Sequence, residues 1–106
     1  MRVLQETIIN AVDATTNPTS IAIDASQWVA ASIQGYVTSS ASGTLNFQAS
    51  NEATAPTNWV TLVSVAMTSS NPGMLVIYPC TYNFVRATWT NSSGTGNLTV
   101  NLKSDG

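Results

Sequence analysis

Residues 44–50 read Thr-Leu-Asn-Phe-Gln-Ala-Ser, and the alternation within this stretch decides the fold class. Leu45, Phe47 and Ala49 are separated by polar residues, which is the period of a β-strand that buries one face. Residues 85–90 and 98–103 repeat this alternation, and no part of the chain shows a sustained helical period. We therefore expect an all-β protein whose core receives the apolar residues of these three strands.

Turn residues divide the rest of the chain into further short strands, which we expect at residues 4–10, 20–24, 33–38, 59–65 and 74–78. Residues 40–43 and 92–96 are expected to form hairpin turns with glycine at positive φ, and Asn71-Pro72-Gly73 fits a type II turn. Seven or eight short strands favour one antiparallel β-sandwich domain over residues 1–106, immunoglobulin-like or jelly-roll. Residues 1–12 have two interpretations, a first strand or an anchoring arm.

The charge content of the chain restricts its partners. Only 8% of the 106 residues are charged, against roughly a quarter in a typical soluble domain. Three basic residues, Arg2, Arg86 and Lys103, are too few to neutralise a phosphate backbone, so we expect no nucleic-acid binding. No apolar run is long enough for a leader peptide or a membrane span, so we expect no membrane partner. Low charge gives little protection against association, which favours self-association.

The reactive residue types argue against an enzyme. Histidine is absent, which removes the commonest general base and the commonest transition-metal ligand. The five acids share no motif, and we expect Glu52 to cap a loop while Asp13 and Asp24 shape turns. A calcium site at Asp13 and Asp24 is a weaker alternative. Cys80 is the single cysteine and is expected to be packed and inert. The prediction is no catalytic residue, no cofactor and no metal.

The aromatic residues suggest where a partner would bind. Trp59 and Trp89 border apolar strand positions, so both are expected in the core. Trp28 and Tyr36 are expected to point outward from the same strand if the apolar residues between them face inward. Trp and Tyr are enriched in the centres of protein interfaces, which makes this pair an interface candidate.

Two stretches of the chain carry a resemblance to a protein family. The first is Gly43–Asn51 followed by Asn58–Val60, and the second is Tyr82–Thr90 followed by Ser93–Thr99. Together they resemble small virion proteins of tailed bacteriophages, in which a Gln-Ala-Ser-Asn strand end leads to a tryptophan. In that family a later Tyr-x-x-Val-Arg strand precedes a Gly-Thr-Gly turn. The similarity covers residues 33–103.

This resemblance implies a β-sandwich protein of a phage particle that is assembled in the host cytoplasm and located on the virion. Its first expected function is capsid decoration (a cement protein), with the major capsid protein or other virion proteins as partners. The alternative is a tail or fibre module that binds a host-surface glycan or joins other tail proteins. The resemblance places Arg86 at a recurring position, where it is expected to pair with Glu52 or to reach a neighbouring subunit. Glu52 and Arg86 are therefore interface candidates alongside the aromatic pair.

Overall fold

The computed structural model describes residues 3–106. This part of the chain contains one three-residue 3₁₀ helix, Ala14–Thr16, and eight β-strands. The strands are β1 (Val3–Asp13), β2 (Ile23–Asp24), β3 (Ala30–Val37), β4 (Ser42–Ser50), β5 (Val60–Thr68), β6 (Gly73–Ile77), β7 (Phe84–Ser93) and β8 (Asn97–Asp105). The all-β prediction is confirmed.

The strands form two four-stranded sheets that pack face to face. Sheet 1 has the order β1-β8-β3-β6 and sheet 2 has the order β2-β7-β4-β5. All the strand pairs are antiparallel. Consecutive strands lie in different sheets except for β4 and β5, which is the connectivity of an eight-stranded jelly roll. Of the two sandwich types expected, the jelly-roll is the one observed.

The core lies between the inner faces of the two sheets. The apolar residues of the alternating stretches are buried as predicted, including Leu45, Phe47 and Trp89. The partners from β8, namely Leu98, Val100 and Leu102, are buried as well. A strand of period two places every second side chain on the same face, so three correctly phased strands define most of the core.

Residues 40–43 do not form a hairpin, which corrects the sequence prediction. They carry the chain from β3 in sheet 1 to β4 in sheet 2, and Ser39, not Gly43, takes a positive φ of 57°. Gly43 lies within β4, where a Cβ atom would sit 2.2 Å from the carbonyl oxygen of Thr90. Glycine is therefore required there by a close approach of two strands and not by turn geometry.

The turn predicted at Asn71-Pro72-Gly73 is also displaced. Thr68 and Asn71 donate backbone hydrogen bonds to each other, at 3.3 and 3.1 Å, so the turn is centred on Ser69 and Ser70. Gly73 begins β6. For residues 92–96, the prediction of glycine at positive φ is confirmed, since Gly94 has a φ of 76°. The prediction of a hairpin there is wrong, because this segment also connects the two sheets.

Strand β1 occupies one edge of sheet 1. It pairs with β8 from Val3 to Asp13, with irregularities of register between Thr7 and Ile9 and between Ile9 and Val12. Residues 3–12 of the segment expected to be a first strand or an anchoring arm therefore belong to a strand. Residues 1–2 of that segment lie outside the described residues.

Candidate interaction surfaces

Trp59 lies on the outer face of sheet 2, and the prediction that it belongs to the core is wrong. It ends the loop between β4 and β5, one residue before β5 begins, and it is half-buried. The Arg86 guanidinium carbon is 4.4 Å from the centroid of its ring. Because Val85 and Ala87 point into the core, Arg86 points outward, where its guanidinium stacks on the Trp59 ring. The strand period does not extend into the loop, which is why it misplaced this residue.

The side chain of Arg86 is held by a second contact on the neighbouring strand. Its Nε donates a hydrogen bond of 2.8 Å to Oε1 of Gln48, and Nε2 of Gln48 donates one of 3.0 Å to Oγ1 of Thr61. We call Arg86, Trp59, Gln48 and Thr61 the Arg86 cluster. It connects β7, β4, β5 and the loop that precedes β5. Its partly buried guanidinium is therefore fixed in direction by a hydrogen bond and a cation–π contact.

Arg86 and Glu52 do not pair, which corrects the expectation that they would. Oε1 of Glu52 accepts hydrogen bonds from the backbone N–H groups of Thr57 and Asn58, at 2.7 and 2.6 Å. These bonds hold the pKa of the Glu52 carboxyl below its usual range. No residue in the range 3–106 accepts a hydrogen bond from the terminal nitrogens of Arg86. Partial burial lowers the pKa of this guanidinium, which nevertheless stays charged at neutral pH.

The loop closed by Glu52 borders a hollow of about 420 Å³. Val60, Leu62 and Tyr82 form its apolar wall, while Glu52 and Asn58 stand at its polar side. The carboxylate of Glu52 is already engaged by the loop backbone. The expectation that Glu52 caps its loop is confirmed, and this role leaves the carboxylate little capacity for chemistry.

Sheet 1 has a shallow groove of about 420 Å³ across its outer face. All four strands contribute, and most of the lining side chains end in amide, hydroxyl or amino groups. The lining residues are Gln5, Glu6, Thr7, Ser32, Gln34, Met74, Asn101, Leu102 and Lys103. We call this feature the sheet 1 groove. The sequence indicated the outward direction of Asn101 and Lys103, but only the register between strands brings these residues together.

Trp28 and Tyr36 lie apart, so the expectation that they share a strand is wrong. Tyr36 is on β3, 44% exposed, on the outer face of sheet 1. Trp28 precedes β3 in a turn, where its N–H donates to the carbonyl of Ala25 at 3.0 Å. Its side chain packs partly against the core. Alternation predicts side-chain direction only within a strand, and β3 begins at Ala30.

Asp13, Asp24 and Cys80 have local structural roles. Oδ1 of Asp13 accepts hydrogen bonds from the N–H and hydroxyl of Thr15, and Oδ1 of Asp24 does the same with Ser26. Both contacts lower the pKa of these carboxyls. Cys80 is buried, and burial raises the pKa of its thiol. Within residues 3–106, no three His, Cys, Asp or Glu side chains are grouped closely enough to hold a metal ion.

The described residues contain no helix that is both long and apolar enough to cross a lipid bilayer.

Comparison with known proteins finds similarity in structure and not in sequence. No protein family profile and no curated protein sequence matches the chain. The SPBc2 prophage-derived protein YomS aligns over 97% of this chain and 92% of its own, with 16% identity and a TM-score of 0.69. The PBSX exported protein XepA aligns over 96% of this chain with 14% identity and a TM-score of 0.68. This chain spans only 37% of XepA.

A third similar structure is a Bacillus endospore appendage protein from disulfide-linked pili. It aligns over 97% of this chain and 88% of its own, with 18% identity and a TM-score of 0.52. The TM-scores show a shared fold. Proteins derived from phages and prophages are therefore among the solved structures that this jelly roll resembles.

Proposed function

We propose that this chain is a non-catalytic structural protein of a tailed-phage particle and, within that particle, a capsid decoration protein bound to the major capsid protein. The observation that carries the proposal is the near full-length structural match with prophage-derived YomS, which covers most of both chains. The sequence resemblance to small virion proteins, carried by residues 43–60 and 82–99, is a separate line of support. The protein would be assembled in the host cytoplasm and remain on the virion.

The Arg86 cluster is the surface best suited to contact the capsid. Trp and Arg dominate the binding energy of protein interfaces when they are held rigidly at the centre of a contact. Trp59 and Arg86 are held in this way by a cation–π contact and by the Gln48 hydrogen bond. The terminal nitrogens of Arg86 have unused donors, which suit a carboxylate on the capsid surface. We assign this face of sheet 2 to the capsid.

The non-catalytic part of the proposal rests on how the acids are used. The carboxylates of Asp13, Asp24 and Glu52 each accept hydrogen bonds from their own turn or loop. Each pKa is lowered, the reverse of the raised pKa that a carboxylic general acid needs near neutral pH. Such groups stabilise loops and are poor proton donors.

The alternative function is a tail or fibre module, which joins other tail proteins or binds a glycan on the host surface. The feature that favours it is the sheet 1 groove, whose amide and hydroxyl side chains could form hydrogen bonds with sugar hydroxyls. The two functions differ in location on the particle, and they use opposite faces of the sandwich.

Binding to purified capsids distinguishes them. Expanded heads and tails of the parent phage, each lacking this protein, are incubated with the purified chain and sedimented. We expect the wild type to sediment with heads, and the variant Arg86→Glu to remain in solution. The control Lys103→Glu makes the same change of charge on the opposite face and should bind as the wild type does. Failure to bind heads would exclude decoration, and binding to tails alone would favour the alternative.

A further inference from the structure

We propose that the sheet 1 groove binds a neutral polysaccharide, held by amide side chains at its centre and by an apolar edge on β6. The inference names the class of glycan for the groove that the alternative function uses. It applies to either location on the particle, because the groove lies on the face opposite the Arg86 cluster.

The register of sheet 1 places two rows of outward side chains next to each other. The first row runs from β1 to β6 through Gln5, Lys103, Ser32 and Val76. The second row runs in the same direction through Thr7, Asn101, Gln34 and Met74. Adjacent strands are about 4.8 Å apart, so each row is roughly 14 Å wide. This width suits a chain of several sugar rings better than a single ring.

The polar groups of the groove keep most of their hydrogen-bonding capacity. Thr7 donates a hydrogen bond of 2.7 Å to Asn101, but the side chains of Gln5 and Gln34 form none within residues 3–106. An amide side chain offers two donor hydrogens and an acceptor oxygen side by side. Neighbouring hydroxyls of a sugar, each both donor and acceptor, match this arrangement.

The outer face of sheet 2 provides an internal comparison. Its amides are used within the protein, since Asn46 donates to Thr88 and Gln48 donates to Thr61 while accepting from Arg86. Its amide groups are therefore largely committed to stabilising the sheet. The amides of Gln5 and Gln34 on sheet 1 make no such bonds within residues 3–106, which distinguishes the two faces chemically although both are polar.

The β6 edge of the groove supplies the apolar part of a sugar site. Met74 is 56% exposed and Val76 is 60% exposed. Tyr36 lies on the same face, two residues beyond Gln34 on β3, and is 44% exposed. Sugar rings have apolar C–H faces that pack against such side chains, and tyrosine adds a hydroxyl for hydrogen bonding. The groove thus offers both the polar and the apolar contacts that a pyranose ring requires.

The charge of the groove selects the class of polysaccharide. Lys103 is the one charged side chain in the two outward rows. Glu6 pairs with the buried Leu102, so its side chain points to the opposite face of the sheet. A single amino group among uncharged side chains gives only a weak attraction for sulfated, phosphorylated or uronic acid polymers. We therefore infer a neutral hexose or pentose polymer as the ligand.

Affinity gel electrophoresis with soluble polymers tests the inference. The probes are laminarin, mannan, dextran and xylan as neutral polymers, and hyaluronate and polygalacturonate as charged ones. We expect at least one neutral polymer to retard the wild-type protein. Gln34→Ala and Tyr36→Ala should each weaken binding about tenfold or more, as expected when contacts worth about 1.4 kcal/mol are lost. The matched control Asn46→Ala removes an amide from β4, one of the two central strands of sheet 2, and should retain wild-type retardation.

Nuclear magnetic resonance adds a measurement that does not depend on the variants. Titration with the retarding polymer should shift the side-chain amide signals of Gln5, Gln34 and Asn101, while those of Asn46 and Gln48 stay fixed. Absence of retardation by all four neutral polymers would overturn the proposal. So would retardation by charged polymers alone, or shifts confined to sheet 2. Loss of capsid binding in the Arg86→Glu experiment has no bearing on these outcomes, so the two proposals fail separately.

Discussion

The guanidinium carbon of Arg86 lies 4.4 Å from the ring centroid of Trp59, and this contact attaches the loop between β4 and β5 to the outer face of sheet 2. The hydrogen bond from Arg86 to Gln48 then joins β7 to β4. A tryptophan from a loop and an arginine from a strand together fix a surface that neither element would define alone.

Replacement of Arg86 by alanine should destabilise the protein. A cation–π contact is worth about 0.5–1 kcal/mol at a partly exposed site, and a hydrogen bond contributes about 1 kcal/mol. We expect the free energy of unfolding in urea to fall by about 1–2 kcal/mol for Arg86→Ala. The variant Arg86→Lys keeps the charge but loses the planar stacking and the Nε donor. Its free energy of unfolding should therefore lie between those of the wild type and Arg86→Ala. A change within about 0.5 kcal/mol for Arg86→Ala, like that of an ordinary surface substitution, would contradict this role.

Gly43 should not tolerate a side chain, although it is not in a strained backbone conformation. A Cβ atom there would lie 2.2 Å from the Thr90 carbonyl oxygen and 2.7 Å from the ring of Trp89. Gly43→Ala should therefore lower the free energy of unfolding by about 2 kcal/mol or more, because strands β4 and β7 would have to separate. The control Thr44→Ala, on the outward side of the same strand, should cost less than about 1 kcal/mol. Equal unfolding midpoints for the two variants would show that the strands adjust without cost.

Glu52 should make stability depend on pH in the acid range. Its pKa is lowered in the folded protein by hydrogen bonds from the backbone of Asn58 and Thr57. A group with a depressed folded pKa stabilises the protein above its ordinary value of 4.5, and that contribution is lost as the pH falls through the folded pKa. Thermal unfolding midpoints measured from pH 7 to pH 2 should therefore fall less steeply for Glu52→Gln than for the wild type.

The control for this pH series is Thr54→Ala in the same loop, since Thr54 makes no hydrogen bond to Glu52. This variant should follow the wild-type slope. Identical slopes for Glu52→Gln and the wild type would mean that the carboxylate does not hold the loop in solution.

Strand alternation predicted correctly which residues of the long strands lie in the core. Leu45, Phe47 and Trp89 lie in the interior of long strands, where the two-residue period controls side-chain direction directly. The same rule failed at Trp28 and Trp59, which stand just outside β3 and β5. There the backbone leaves the extended conformation, and the direction of the side chain depends on the path of the loop.

Connectivity was beyond prediction because turn residues do not specify which sheet the next strand enters. A glycine-containing turn fits a hairpin and a crossover between sheets equally well, and residues 40–43 form a crossover. The candidate sites depend on this connectivity. Gln5, Gln34 and Asn101 are distant in sequence and meet only because β1, β8 and β3 are neighbours in sheet 1. The contact between Arg86 and Trp59 likewise required the order β7-β4-β5.

The most direct test of the central claim is the amount of this protein in each part of the purified phage particle. Particles from the phage that encodes the chain are washed, separated into heads and tails, and analysed by quantitative mass spectrometry. The proposal predicts that the protein is recovered with the heads, at a fixed ratio to the major capsid protein. Its absence from washed particles would contradict a structural role in the virion, and recovery with tails alone would contradict capsid decoration.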